Sequence, residues 1–157
     1  ENIFNMFVSN DGPEPPLNHP DSNVWIGTTV ESPEQIRRVK YLKNVSVPVR
    51  FVSVEPMLGN VATDEFAEYL ADGTVNWVIV GGESKQGASN EPRPFRTDYA
   101  RQLVELCEEH NVPVFMKQFG SNPVDANNAN FGAFSGKGEN TDEWPESWKV
   151  QRFPDVA

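Results

Sequence analysis

One short apolar run restricts the folds open to this chain more than any other feature. Residues 77–80 read WVIV, without a polar side chain among them. A strand with one face in water alternates apolar and polar side chains, whereas a strand covered on both faces reads as a continuous apolar run. We therefore predict a strand over 76–80 that is buried inside a parallel sheet.

Three other segments have the β-branched and aromatic composition of strands, namely 24–30, 49–54 and 112–119. Between the strands, apolar residues recur at helical spacing. Ser32, Thr63 and Thr97 are placed to cap three helices at their N-termini, and Gln35 is placed to complete a capping box with Ser32. This alternation of strands and helices indicates parallel strands joined by right-handed crossovers.

The predicted fold class is therefore α/β with about four βα units. A complete eight-unit barrel needs ~250 residues, whereas this chain has 157. The sheet is then either an open parallel sheet or a partial (β/α) barrel, the C-terminal half of a TIM-barrel-like fold. We divide the chain into an N-terminal arm over 1–22, an α/β domain over 23–120, and a loop-rich C-terminal tail over 121–157 that packs on the domain.

Composition argues against several classes of function. The net charge is -10, with 23 acidic and 13 basic residues, and an acidic surface disfavours a nucleic-acid partner. No apolar run approaches the ~20 residues that a membrane helix needs, and no signal-peptide pattern opens the chain. We therefore expect a cytoplasmic protein with no membrane partner.

Cys107 is the only cysteine. One thiol cannot form an intrachain disulfide, a CxxC zinc site or a thiolate-ligated iron–sulfur cluster. Its apolar helical position favours a small core residue. We predict no metal site and no cofactor held by this chain alone.

Polar side chains follow the predicted strands at the points where the strands end. Glu55, Glu83 and Lys117 come at the ends of three of these strands. In parallel α/β folds, functional residues collect at the carboxyl ends of the strands. These three residues are our catalytic candidates, because two carboxylates and an amine on one rim can exchange protons or hold a polar ligand.

Four other residues are candidates for binding a substrate or an anion: Arg93, Gln118, Ser53 and Ser84. Arg93 lies between two prolines, and its guanidinium suits a carboxylate or a phosphate. The alternative remains open at each position. A glutamate at a strand end also bonds backbone amides or a lysine, Gly81-Gly82 also serves a tight turn, and Arg93 also suits an ordinary surface position.

Several stretches together resemble one protein family. They are VWIGTTVES, RFVSVEPMLGNV, VNWVIVGGES, PRPF, VPVFMKQFG and EWPESWKVQRFP, in that order over about residues 23–153. The series resembles the C-terminal portion of a phage and bacterial protein family of unknown function. Full-length members of that family begin with a three-cysteine motif similar to the cluster-binding motif of radical S-adenosylmethionine enzymes.

The resemblance implies a barrel-like fold, and it implies that five of the candidates, Ser53 and Ser84 apart, belong to family motifs. This chain lacks the three-cysteine motif. For full-length relatives the resemblance implies an iron–sulfur cluster and S-adenosylmethionine as cofactors. For this chain it implies a missing N-terminal half as partner, and a homodimer is the alternative.

Two hypotheses of function follow, and they differ in what they predict. In the first, the chain is the truncated C-terminal half of a radical-SAM-like protein, and its polar residues line a shared pocket. In the second, it is a non-catalytic phage or prophage interaction module, and the same residues form internal salt bridges without a pocket. A third hypothesis, a glycosidase-like carboxylate pair of Glu55 and Glu83, rests only on the spacing of adjacent strands.

Overall fold

The computed structural model of the chain describes residues 23–87 and 91–155. In chain order the strands are β1 (Trp25–Thr29), β2 (Val49–Val54), β3 (Trp77–Gly81), β4 (Phe95–Arg96), β5 (Val114–Gln118) and β6 (Pro123–Val124). Four of them form one sheet in the order β1-β2-β3-β5, and every pairing in it is parallel. The predicted parallel sheet is confirmed, with strand bounds within two residues of those expected. The small parallel sheet of β4 and β6 lies outside the four predicted strands.

Three helices connect the strands of the main sheet. They are a 3-10 helix (Pro33–Asn44), α1 (Asp64–Ala71) and α2 (Thr97–Glu109). Two short 3-10 helices, Thr141–Glu143 and Glu146–Trp148, follow in the tail. The protein is therefore a mixed α/β fold in which each strand of the sheet leads through one helix to the next strand.

The three connecting helices pack on one face of the sheet. Strand side chains alternate between faces, and the side chains on this face join those of the helices in one buried cluster. From the sheet it contains Ile26, Val52, Val54, Val78, Val80, Val114 and Met116. From the helices it contains Ile36, Val39, Leu42, Phe66, Leu70, Ala100, Leu103, Val104 and Cys107. The prediction that Cys107 is a core residue is confirmed, and burial raises the pKa of its thiol to about 12.

The opposite face of the sheet carries a row of apolar side chains that no helix covers among the described residues. This aromatic face consists of Trp25, Phe51, Trp77, Ile79 and Phe115. Trp77 lies in its middle, with ring centroids 5.4 Å from Trp25, 5.7 Å from Phe51 and 6.4 Å from Phe115. The apolar run 77–80 is thus covered by helices on one side and largely by aromatic rings on the other.

The 3-10 helix corrects the sequence prediction for this segment. Ile36, Val39 and Leu42 are buried, and their spacing of three matches the three residues per turn of a 3-10 helix, in which i and i+3 eclipse. Ser32 is the N-cap residue, as predicted, but the predicted capping box with Gln35 is not formed. Ser32 makes no side-chain cap hydrogen bond, because its hydroxyl donates instead to the Glu34 carboxylate.

The predicted cap of α2 is wrong, whereas that of α1 is confirmed. Thr97 is the first residue of α2, and its hydroxyl donates to the carbonyl oxygen of Val124 at 3.1 Å. The hydroxyl therefore ties the helix to β6 and leaves the helix amides to other partners. Thr63 caps α1 by accepting from the backbone N–H of Phe66 at 3.2 Å.

The C-terminal segment runs along the outer edge of β5. The backbone N–H of Met116 donates to the Val150 carbonyl at 2.7 Å, and that of Arg152 donates to the Val114 carbonyl at 2.8 Å. Gln151 forms an antiparallel bridge with Phe115. One edge of the main sheet is therefore occupied, and β1 is its other edge within the described residues.

The tail docks through two tryptophans. Trp144 and Trp148 are both buried, with ring centroids 5.1 and 5.4 Å from that of Phe119. The guanidinium of Arg101 on α2 lies 4.0 Å from the Trp148 ring centre, a cation–π geometry. The tail thereby contacts both the end of β5 and a helix.

The arm 1–22 lies outside the described residues, so the structure does not bear on its predicted role. Within the described ranges, no helix combines the length and the apolar content that crossing a bilayer requires.

The cap of α1 gives a prediction about stability. Thr63→Ala removes the acceptor for the Phe66 N–H, so we expect the free energy of unfolding to fall by about 1 kcal/mol. Urea denaturation monitored by tryptophan fluorescence measures it. Ser32→Ala is the matched control, because this hydroxyl caps no amide, and we expect it to change the same quantity by less than about 0.5 kcal/mol. Equal losses in the two variants would contradict the assigned cap.

Candidate functional site

The carboxyl ends of β2, β3 and β5 surround an open cleft of about 310 Å³. We call it the charged cleft. It is lined by Glu55, Pro56, Gly82, Glu83, Ser84, Gln86, Arg93, Lys117, Gln118 and Lys137. Six of the seven candidate residues predicted from the sequence therefore line one cleft.

The seventh candidate, Ser53, lies elsewhere. It lines a neighbouring groove of about 440 Å³ together with Gly27, Thr28, Thr29, Arg38 and Phe51. Ser53 precedes Glu55 by two residues, a spacing that places both side chains on the same face of the sheet. The groove lies beside β1, where Arg38 donates to the Thr29 carbonyl at 2.8 Å and contacts the Glu31 carboxylate at 3.1 Å.

Glu83 and Arg93 form the most completely bonded ion pair of the cleft. The Arg93 side chain donates from Nε to Oε2 at 2.9 Å and from Nη2 to Oε1 at 2.7 Å. The Arg93 backbone N–H donates to the same Oε2 at 2.8 Å. Such a forked pair is both stronger and more directional than a single contact. The Arg93 guanidinium and its backbone N–H together lower the pKa of Glu83 to about 2.

Glu55 and Lys117 form the second ion pair, between the ends of β2 and β5. Their Oε1 and Nζ atoms lie 2.9 Å apart. The Glu55 side chain is 19% exposed and the Lys117 side chain 50%, so the carboxylate lies deeper than the amine. The Glu55–Pro56 peptide bond is cis, and the next residue, Met57, donates its backbone N–H to the Gly81 carbonyl at 3.0 Å.

The two adjacent glycines at the end of β3, Gly81 and Gly82, leave room for different groups. A Cβ on Gly81 would lie 3.1 Å from Oε1 of Glu55, so the missing side chain makes room for that carboxylate. A Cβ on Gly82 would lie 2.2 Å from the Phe119 carbonyl oxygen, a distance that real Cβ atoms essentially never show. Gly120, with a φ of +76°, has the reciprocal constraint, because its Cβ would lie 2.6 Å from the Glu83 carbonyl oxygen. The loops after β3 and β5 therefore cross at backbone contact.

Gln118 holds the loop that carries Glu83. Its side chain is buried, and its Nε2 donates to the Gly82 carbonyl at 2.8 Å and to the Ser84 hydroxyl at 3.0 Å. The sequence predicted Gln118 and Ser84 as ligand-binding residues. The structure shows them bonded to each other at the cleft wall, an arrangement that fixes the loop conformation.

The cleft carries charges of both signs at different depths. Arg93 and Lys117 have side chains 55% and 50% exposed, whereas those of Glu83 and Glu55 are 23% and 19% exposed. Lys137 adds a third cation from the tail. No sequence pattern indicates Lys137, because it lies in a loop rich in glycine and asparagine. Such an arrangement suits a ligand with both anionic and hydrogen-bond-donating groups.

The structure agrees in part with each of the two main hypotheses. The candidate residues do share an open cleft, and they also form internal ion pairs. The glycosidase-like hypothesis stays a prediction; the lowered pKa of Glu83 would suit only the ionised carboxylate of such a pair and not its general acid. Residues 23–87 and 91–155 contain no group of three or more His, Cys, Asp or Glu side chains suited to a metal ion.

The lowered pKa of Glu83 gives a prediction about pH. Unfolding returns this carboxyl to a pKa near 4.5 from about 2, so the unfolded state binds more protons between these values. The contribution of the ion pair to stability is therefore fully present above about pH 4.5 and is lost as the pH falls toward 2. We expect the difference in free energy of unfolding between wild type and Glu83→Gln to shrink over that window, as measured by urea denaturation from pH 2 to 7. A difference that stays constant to pH 2 would contradict the assignment.

The two glycines give a second prediction. Gly82→Ala forces a Cβ against the backbone of Phe119, so we expect the free energy of unfolding to fall by about 2 kcal/mol or more. Gly81→Ala is the matched control, because its Cβ meets the end of a flexible side chain, and we expect a loss below about 1 kcal/mol. Thermal and urea unfolding of both variants measure the two losses. A larger loss in Gly81→Ala than in Gly82→Ala would contradict the close backbone contact at Gly82.

Comparison with known proteins places the chain in a family. A family model matches residues 2–146, which is most of the chain. No curated protein and no solved structure matches the chain. The chain belongs to the family described as protein of unknown function DUF5131.

Proposed function

We propose that the charged cleft binds a small polar ligand and that the chain is the ligand-binding C-terminal part of a barrel-like enzyme. The observation that carries this proposal is the pair of partly exposed ion pairs, Glu83–Arg93 and Glu55–Lys117, at the ends of three adjacent strands. Ion pairs whose cations are about half-exposed contribute only modestly to stability. Their convergence on an open cleft instead provides charges that are already oriented for a ligand.

The bonds within the cleft indicate how a ligand would be held. Arg93 uses Nε and Nη2 for Glu83, and its Nη1 forms no hydrogen bond within the described part of the chain, so it can donate to a ligand carboxylate or phosphate. Lys117 and Lys137 add positive charge beside it. The carboxyl oxygens of Glu55 and Glu83 can accept hydrogen bonds from an ammonium or hydroxyl group of the ligand. A ligand with an amino-acid-like end can bind both the basic side chains, through its carboxylate, and the acidic side chains, through its ammonium group.

The resemblance of the sequence supports a finer proposal, that of a radical-SAM-like protein of phage or prophage origin. S-Adenosylmethionine carries an amino-acid end that suits the charged cleft. The iron–sulfur cluster does not fit this chain. Cys107 is the only cysteine, and it is buried in the core with a pKa raised to about 12. This chain alone therefore cannot supply the thiolate ligands of such a cluster.

The competing proposal is a non-catalytic interaction module. The observation that favours it is that both carboxylates are already neutralised by a cation of the same chain. In that case the ion pairs serve the loop conformation, and the cleft has no small-molecule ligand.

Ligand binding separates the two proposals. We expect S-adenosylmethionine to raise the free energy of unfolding of the 157-residue chain, by about 2.7 kcal/mol at a hundredfold excess over Kd. Arg93→Gln and Lys117→Gln should weaken binding by about tenfold or more, since each removes a charge-assisted contact. Urea denaturation with and without ligand measures the gain in stability, and isothermal titration calorimetry measures the change in Kd.

Glu108→Gln is the control for this experiment. Glu108 also forms an ion pair, with Arg152 at 2.7 Å, but it lines a different groove. Binding should be unchanged in this variant. Absence of binding to the wild-type chain, or equal losses in the control, would contradict the cleft as a ligand site and favour the interaction module.

The radical-SAM-like proposal is tested on the product of the complete reading frame. Anaerobic reconstitution of that protein with iron and sulfide, followed by an assay for reductive cleavage of S-adenosylmethionine, is the test. Cluster absorbance with cleavage would support the radical-SAM-like proposal. A protein that binds S-adenosylmethionine without a cluster would contradict the finer proposal and keep the ligand site.

A further inference from the structure

The charges that line the charged cleft do not cancel. Its ionisable side chains are two acids and three bases, namely Glu55, Glu83, Arg93, Lys117 and Lys137. The two ion pairs use both acids and two of the bases, so one positive charge remains, on Lys137. The cleft is therefore a basic site in a chain whose net charge is -10. Charges of one sign in a cleft concentrate ligands of the opposite sign.

Lys137 differs from the other two bases of the cleft because it has no acidic partner. It forms no ion pair with any carboxylate of residues 23–87 and 91–155. Glu139 accepts a hydrogen bond from the Lys137 backbone N–H at 2.8 Å, but Glu139 does not line the cleft. The Lys137 ammonium group can therefore offer all its donors to a ligand, whereas Arg93 and Lys117 share theirs with carboxylates of the chain.

The backbone next to Lys137 is held against the end of β5. The Gly138 carbonyl accepts from the Phe119 N–H at 3.1 Å and from the Trp144 indole N–H at 3.0 Å. A Cβ on Gly138 would lie 3.1 Å from the Gly120 carbonyl oxygen, and its φ of +69° favours glycine. The loop therefore presents Lys137 from a backbone that is already in place, which lowers the entropic cost of binding a ligand.

An amino-acid-like end of a ligand would leave Lys137 unused. Its carboxylate has two oxygens, for which the Nη1 of Arg93 and the Nζ of Lys117 supply donors. Its ammonium group would contact the two carboxylates of the cleft. The third cation then has no counterpart on such a ligand.

We propose that the ligand of the charged cleft carries a further anionic group, a phosphate or a second carboxylate, and that Lys137 selects for it. The ligand class is then an acidic or phosphorylated amino-acid-like compound. This inference rests on the proposed function, because it concerns the ligand of the same cleft.

Two pairs of amino acids test the inference, since the members of each pair differ by one anionic group. O-Phospho-L-serine is compared with L-serine, and L-glutamate with L-glutamine, by isothermal titration calorimetry on the 157-residue chain. We expect the acidic member of at least one pair to bind more tightly by about tenfold or more, since it gains a charge-assisted contact. The pair with the larger gain shows whether the group is a phosphate or a carboxylate.

Three variants test whether the gain comes from one side chain. Lys137→Gln should reduce the preference for the acidic ligand to less than about twofold, with the affinity for its neutral counterpart unchanged. Lys137→Arg keeps the charge and should keep most of the preference. Lys40→Gln is the matched control, because it removes one charge from an exposed lysine on the 3-10 helix and should leave the preference as in the wild type.

The fold of the variants is checked separately. Lys137 is exposed, so we expect Lys137→Gln to have the same midpoint of urea denaturation as the wild-type chain. A loss of preference with an unchanged midpoint supports a direct contact with the ligand.

The other outcomes overturn the inference in distinguishable ways. Equal affinities within both pairs, or a preference that survives Lys137→Gln, would overturn it. Binding of S-adenosylmethionine without binding of any of the four amino acids would also overturn it, but would keep the proposed function. If neither S-adenosylmethionine nor any amino acid binds, the proposed function fails together with the inference.

Discussion

The contact between the backbones that follow β3 and β5 is the constraint on which the candidate site depends. Gly82 and Gly120 leave no room for a Cβ at the crossing. The Gly82 N–H donates to the Gln118 carbonyl at 3.0 Å, and the Ser121 N–H donates to the Glu83 carbonyl at 2.8 Å. Glu83 is thereby fixed between two strand ends before its side chain makes any contact.

The same crossing positions the tail. The Phe119 N–H donates to the Gly138 carbonyl at 3.1 Å, and this carbonyl also accepts from the Trp144 indole at 3.0 Å. Lys137, the residue before Gly138, reaches the cleft by this route. A basic side chain from a loop distant in sequence thus joins two ion pairs built on strand ends.

Sequence reasoning predicted the sheet because its signals are local. Continuous apolar runs and strand-ending polar residues lie within a few positions of one another, and the parallel arrangement then brings Glu55, Glu83 and Lys117 to one rim. Sequence reasoning was wrong where the same residue pattern is compatible with two different local structures. Residues 36, 39 and 42 fit both a three-residue and a 3.6-residue period, and Thr97 has the residue type of a cap but finds a partner in β6.

The partners within the cleft could not be predicted from the sequence. Arg93 lies ten positions after Glu83, across a loop whose path no local pattern fixes, and Lys117 pairs with Glu55 and not with Glu83. Ser53 is a predicted binding residue only two positions before Glu55, but the structure places it in the neighbouring groove. Which strand ends meet depends on the packing of the whole sheet.

The 3-10 geometry of the first crossover has a consequence for distance. Its 12 residues span roughly 24 Å at 2.0 Å per residue, whereas an α-helix of that length would span about 18 Å. A strand of six residues is about 20 Å long. The tighter winding therefore lets the 12-residue crossover span the length of a six-residue strand by itself, whereas an α-helix would cover about 2 Å less and leave that distance to the flanking loops.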